Sequence, residues 1–94
     1  MNGFHIFKRR ELVQAADPET LRNLMTDADS YIRRRVAERI DLSRLPEMMG
    51  DPHWLVRWEV VARINSRFLS SMLLRETNHV VRETLRKRLL GAMC

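Results

Sequence analysis

One cysteine, three glycines and three prolines in 94 residues close off several classes of protein at once. The cysteine is Cys94, so a single chain forms no internal disulfide and builds neither a four-cysteine zinc site nor a cysteine-ligated iron–sulfur cluster. With so little glycine and proline, and with 45% hydrophobic and 31% charged residues, the composition is that of a folded, helical chain rather than a disordered or collagen-like one. No apolar run approaches the roughly eighteen residues of a membrane span, and the opening MNGFHIFKRRE lacks the apolar stretch of a signal peptide. The expectation is a cytoplasmic protein that makes no membrane contact. There is no glycine-rich phosphate loop, no supported Cys–His or Ser–His–Asp arrangement and no close acid pair outside the repeat's own turns, and the length suits one small domain without room for a separate cofactor domain. No enzymatic activity, cofactor or metal is expected.

What the chain has in excess is arginine. Fifteen of its seventeen basic residues are arginine, against twelve acids, for a net charge of +5. The surplus is uneven: residues 1–30 carry four bases and five acids, whereas residues 31–94 carry thirteen bases and seven acids, or +6.

The arginines recur in register. DADSYIRRRVAERI from Asp27, DPHWLVRWEVVARI from Asp51 and ETNHVVRETLRKRL from Glu76 share an acid, an apolar–Arg pair and a closing Arg–aliphatic pair. Ile32, Val56 and Val81 align, as do Val36, Val60 and Leu85, and Ile40, Ile64 and Leu89, at offsets of 24 and then 25. A shorter apolar set follows each block: Leu21, Leu24 and Met25, then Leu45, Met48 and Met49, then Leu69, Met72 and Leu73. Reading backwards, Leu12 and Ala16 fall where Val36 and Ile40 stand and Arg9 falls where Arg33 stands, so an eroded first unit opens the chain. The units run over about 3–26, then 27–50, 51–75 and a partial 76–94, in one repeat domain.

Within each block the apolar residues at i, i+4 and i+8 form one helical stripe, preceded by residues suited to caps and first turns. Helices are therefore predicted near 6–16, 31–41, 54–65 and 78–91. The connecting stretch, such as DLSRLPEMMGD, is short and carries a proline, which leaves room for a short α-helix or a 3-10 turn. No segment shows strand periodicity.

The motif D-x5-R with V-R-x2-V-A-x-R-I, followed by L-x2-L/M-M and D-P, resembles the leucine-rich repeat variant family and, more distantly, HEAT repeats, over about residues 9–90. The resemblance implies an all-α, short right-handed α-solenoid of about 24-residue repeats, a long helix alternating with a short α or 3-10 helix. It also implies a bacterial protein, with a family link to nitrogen-fixation gene regions. Some relatives carry an N-terminal cysteine-bound iron–sulfur cluster, for which this chain lacks the cysteines.

Two rows of arginine invite opposite readings. Arg33, Arg57 and Arg82 lie on the core side of their helices, each six residues after an acid, Asp27, Asp51 or Glu76. An arginine beside an apolar stripe needs a partner, so these six residues are read as a structural ladder, within or across units, with ligand contact as the alternative. Gly3 stands where the first unit's acid would be, which leaves Arg9 free or paired elsewhere. Arg39, Arg63 and Arg88 lie at the stripe's edge, where long stems cover apolar surface with their heads in water, and are better candidates for a partner. Trp58 lies about 200° around the helix from Val56, hence exposed, as a contact for a partner or packed on Arg34 by a cation–π interaction. Trp54 is expected to plug the groove between units. His53 and His79 occupy nearly matching turns, but stacked helices about 8–10 Å apart do not bring such groups onto one ion. The methionines Met25, Met48, Met49 and Met72 sit at core spacing.

The expected function is a non-catalytic protein–protein interaction module, an accessory or assembly factor gripping a partner's acidic surface with Trp58, Arg34, Arg35 and Arg63. The alternative is nucleic-acid binding through the arginine-rich face. Phe4, Ile6 and Phe7 are expected to cap one end and Leu90, Ala92 and Met93 the other, with self-association through the ends if those caps fail.

Overall fold

A computed structural model describes residues 5–93, with side chains for residues 8–91. Gly3, Phe4 and Cys94 lie outside the described residues, as do the side chains of Ile6, Phe7, Ala92 and Met93. Every regular element among the described residues is helical: α1 (His5–Ala15), α2 (Pro18–Leu24), α3 (Ser30–Arg39), a 3-10 helix (Leu45–Met48), α4 (Trp54–Arg63), a second 3-10 helix (Ser66–Phe68) running into α5 (Leu69–Arg75), and α6 (His79–Met93). None of these helices is long and apolar enough to cross a membrane.

The long helices start where the sequence supplies a cap. Asp29 accepts the amide of Tyr31, His53 Nδ1 that of Leu55, and Asn78 Oδ1 those of Val80 and Val81. His53 is thereby used as a cap, whereas His79 is already the first residue of α6. α3 and α4 both end where Ile40 and Ile64 turn to an extended backbone, at ψ 153° and 151°.

The short elements differ for a local reason. In the 24-residue register Pro46 stands where α2 has Arg22 and α5 has Ser70. Proline offers no N–H to an i−4 carbonyl, so this stretch tightens into a 3-10 helix while the other two continue as α. The extra residue of the 25-residue offset falls at the end of α5, where Leu74 is 87% exposed.

Packing is sequential. α1 packs on α3, α3 on α4 and α4 on α6, and each short element packs on the long helix that follows it. The result is elongated, 49 × 24 × 16 Å, with a radius of gyration of 14.1 Å where a compact chain of this length is about 12 Å. The stripe residues Ile32, Val36, Ile40, Val56, Val60, Ile64, Val81 and Leu85 are buried, with Leu21, Leu45 and Leu69 beneath them from the short elements. Leu89 packs against this core while half-buried.

Leu12 departs from the register. It is 51% exposed, and Val13, one residue on, is fully buried instead. The long helices that follow are covered on this face by a preceding short element, and no described element precedes α1.

Candidate interaction surface

The first arginine row forms a ladder, and its register runs forward. Arg33 donates from Nε to Asp51 Oδ2 at 2.8 Å and from Nη2 to Oδ1 at 3.2 Å. Arg57 does the same with Glu76, at 2.9 and 2.8 Å. The acid six residues before each arginine contributes its backbone instead: Arg33 Nη1 donates to Asp27 O, and Arg57 Nη1 to Asp51 O, both at 2.8 Å. Each carboxylate also accepts the amide two residues on, at Asp29, His53 or Asn78, which fixes the cap of the next long helix. Arg9 Nε lies 2.8 Å from Asp27 Oδ2, an ion pair whose N–H is not aligned for a hydrogen bond. Arg82 holds the same pose, with Nη1 on Glu76 O at 2.8 Å and on Leu73 O at 3.0 Å.

The ladder shifts its ionisations as fork-to-carboxylate pairing requires. The carboxylate of Asp51 raises the pKa of Arg33 and that of Glu76 raises Arg57. Burial pushes Glu76 up, but the guanidinium of Arg57 and the amide of Asn78 outweigh it and hold the carboxyl below its usual range. Arg10 does the same for Asp29 by a 2.7 Å hydrogen bond.

The second row, expected to hold its heads in water, instead clamps the last turn of the preceding long helix. Arg39 donates to Val13 O and Ala16 O, Arg63 to Ala37 O at 2.8 Å, and Arg88 to Val61 O and Ile64 O at 2.9 and 2.6 Å. Helix C-termini present unpaired carbonyls and the negative end of the dipole, which is why a recurring cation fits there. Arg63 is thus committed to the fold's own backbone.

Trp58, expected to be exposed, is half-buried against the core. Its Nε1 donates to Thr84 Oγ1 at 3.2 Å across the α4–α6 contact, and the Arg34 guanidinium lies 6.0 Å from its ring centroid. The single-helix wheel placed Trp58 opposite the stripe, but α6 covers that side. Trp54 is half-buried against the same core, so the two tryptophans do not divide into one exposed and one shielded. Removing Trp58 should cost stability, on the order of 1–2 kcal/mol from its half-buried apolar area. Thermal melts of Trp58→Ala check this, and an unchanged Tm would return Trp58 to the surface.

Arg34 lies against the Trp58 ring, whereas Arg35 lies over Tyr31, and both are satisfied groups. Arg34 Nε donates to Glu59 Oε1 at 3.3 Å, and Arg35 reaches Glu38 at 2.9 Å and Gln14 at 3.1 Å while lying 6.0 Å from the Tyr31 ring. Burial raises the pKa of Glu59, opposed by its hydrogen bond from Arg34. The carboxyls therefore act in opposite senses on stability. Asp29 and Glu76, depressed in the fold, stabilise it fully above the unfolded carboxylate range and lose that contribution as pH falls through their folded values. Glu59, raised in the fold, contributes stability that is present below its unfolded pKa and lost as pH rises through its folded one. Melting followed against pH should show an acid limb that shrinks in Glu76→Gln, and a loss above about pH 4.3 that Glu59→Gln removes. Identical pH profiles for wild type and both variants would contradict these assignments.

Sequence reasoning missed the open surface. Two grooves, of about 640 and 560 Å³, lie side by side where the short elements meet the loops before α4 and α6. Met25, Asp27, Ala28, Arg33 and Met48 line the first, and Met49, Asp51, Pro52, Arg57 and Met72 line the second, each residue 24 positions after its counterpart. Gly50, Asp51 and Pro52 line both, so the two grooves adjoin at this loop as a two-part trough, with a ladder arginine and two methionines in the lining of each part. Arg22 lines the first and Arg75 the second, neither in an ion pair among the described residues. The signal available in the sequence was the recurrence of methionine beside the acid. Among the described residues no group of three or more His, Cys, Asp or Glu side chains could hold a metal ion. Comparison with family models, with curated proteins and with solved structures gave no match in any of the three.

Proposed function

We propose that the chain is a short right-handed α-solenoid of the leucine-rich repeat variant type that works as a non-catalytic protein-interaction module, taking an extended acidic segment of a partner along the trough. The observation that carries this reading is the recurrence of one groove lining at a 24-residue offset, which repeats one local surface on either side of the Gly50–Pro52 loop. Sequential helix packing and the elongated outline support the solenoid. The lining methionines adapt to apolar side chains, and Arg22 and Arg75 supply positive charge once the ladder arginines are neutralised by their own carboxylates.

Nucleic-acid binding, the alternative, draws on the +6 surplus of residues 31–94. Six of those arginines, Arg33, Arg39, Arg57, Arg63, Arg82 and Arg88, donate to backbone carbonyls, so much of the surplus is a charge used inside the fold rather than a phosphate-tracking face.

Gly50 gives a clean test. A Cβ built there meets nothing within 4 Å, so Gly50→Trp should obstruct both halves of the trough while leaving Tm nearly unchanged. A photo-crosslinking residue at Ser71, inside the trough, should capture a protein from the native cell, and the same residue at Lys87 should not. Gly50→Trp should abolish the capture. Crosslinks that persist in Gly50→Trp, or that carry nucleic acid and vanish with salt as phosphate contacts do, would overturn the assignment.

A further inference from the structure

The two grooves repeat one lining a layer apart, and that spacing selects the backbone of what lies along them. Met25, Asp27, Arg33 and Met48 in the first recur as Met49, Asp51, Arg57 and Met72 in the second. Met48 and Met72 are nearly closed, at 3% and 5% exposure, whereas Met25 and Met49 are half-buried, so each groove offers one accessible methionine at the same place in its layer. Stacked helices lie about 8–10 Å apart. A segment that sets an apolar side chain into each groove therefore repeats its face at about that interval.

Of the regular backbones, one keeps that step over a few residues. An α-helix repeats its face every turn, about 5.4 Å, and falls into step only at every second turn. An added β-strand needs a row of free backbone groups to pair with, and here the amides of Met25, Asp27, Met49, Asp51 and Glu76 already donate within the fold. A polyproline II segment has three residues per turn at a rise of about 3.1 Å, so its face returns at roughly 9 Å, and it asks for no backbone partner. Gly50 marks the crossing between the grooves. It lies in the loop that lines both, its φ is not positive, and a Cβ there would meet nothing within 4 Å, so neither conformation nor packing calls for glycine. In the 24-residue register Thr26 and Leu74 stand at this position. What glycine leaves is a saddle bare of side chain, over which another backbone passes at close range. Arg22 in the first groove and Arg75 in the second, neither in an ion pair among the described residues, favour acids beside the apolar anchors.

We infer that the trough takes a proline-containing polyproline II segment of a partner protein, with apolar side chains at i and i+3, one to a groove, acids flanking them, and the backbone crossing at Gly50. This rests on the trough being the binding surface, and it narrows the acidic segment proposed above to one backbone and one spacing. A segment already in the polyproline II form loses little freedom on binding, which suits a shallow site with few anchors.

Three blocked octapeptides of one composition separate spacing from charge and hydrophobicity. Glu-Pro-Leu-Pro-Pro-Leu-Pro-Glu carries its leucines at i and i+3, Glu-Pro-Leu-Pro-Leu-Pro-Pro-Glu at i and i+2, and Glu-Pro-Leu-Pro-Pro-Pro-Leu-Glu at i and i+4. Each is titrated into the full chain labelled with ¹³C-methyl methionine. The i, i+3 peptide should shift the Met25 and Met49 methyls along one saturation curve and bind about tenfold tighter than either isomer, the worth of burying one leucine side chain. Met25→Ala and Met49→Ala, with Tm recorded, should each erase that preference, because one anchor is left. Gly50→Ala should keep Tm and weaken the i, i+3 peptide. A preference retained in either methionine variant, affinity unchanged in Gly50→Ala, or equal affinity for the three isomers that Gly50→Trp abolishes would leave the trough standing and overturn this occupant. So would tighter binding of a Glu, Ala and Lys helix with leucines at i and i+7. If no isomer shifts the methyls the inference fails, and capture of a protein through Ser71 then shows whether the trough fails with it.

Discussion

A double-mutant cycle between Arg57 and Glu76 should return a coupling of about 2 kcal/mol, and one between Arg57 and Asp51 should return almost none. Asp51 is the acid nearer in sequence, six residues before the arginine, and by spacing alone it is the natural partner. Its carboxylate, however, is gripped by Arg33, and it meets Arg57 only through its backbone carbonyl, which no side-chain substitution removes. Glu76 is 7% exposed and bonded by both forks of Arg57, so Arg57→Ala leaves a buried carboxylate with only the amide of Asn78. Losing one member of a buried pair costs about 3 kcal/mol, less here because Arg57 is in part exposed. Arg57→Met with Glu76→Gln together should recover much of that loss, since neither then strands a charge. Urea denaturation of the four proteins of each cycle decides it. Additive effects for Arg57 and Glu76, or coupling of Arg57 to Asp51, would mean that the ladder runs within segments rather than between them.

The direction of that ladder marks the limit of what the sequence discloses. Stripes such as Ile32, Val36 and Ile40 are legible because helical geometry alone places i, i+4 and i+8 on one face, and all three are fully buried. Cap stretches are legible for the same reason, as Asp29 and Asn78 act on amides two or three residues away, though the cap of α4 falls to His53, which by sequence is only a turn histidine. Contacts between segments are not. Arg39 and Arg63 stand in the last turn of their own helices, where a cation usually serves its own C-terminus, yet they and Arg88 each reach back 23 to 27 residues to the helix before. Trp58 fails to be exposed because a helical wheel knows one helix, and α6 lies across the side that the wheel leaves empty. The trough was invisible for a related reason: its walls come from short elements on either side of a loop, and only stacking brings Met25 and Met48 into one surface.

Leu45→Ala should be the most damaging single truncation in the middle of the chain. Leu45 is fully buried in the 3-10 helix that packs beneath α4, and leucine-to-alanine changes at such positions cost about 2–5 kcal/mol, the larger figures where the cavity cannot collapse. Collapse is hindered here, because the next residue is Pro46, whose fixed φ resists any relaxation of the turn. A small domain holds roughly 5–10 kcal/mol in total, so the expected loss lowers Tm by about 10 °C or more. Position in the stack adds a second, sharper expectation. Packing runs in sequence from α1 to α3 to α4 to α6, so Leu45 lies on the route between the two halves, whereas Leu21, also buried, lies at one end. Native-state hydrogen exchange of Leu45→Ala should show the amides of α3, α4 and α6 losing protection together. In Leu21→Ala the loss should be confined to α1, α2 and the start of α3. If Leu21→Ala instead lowers protection evenly as far as α6, the chain unfolds as one globular unit, and the additive stack of neighbouring layers on which the solenoid reading depends is wrong.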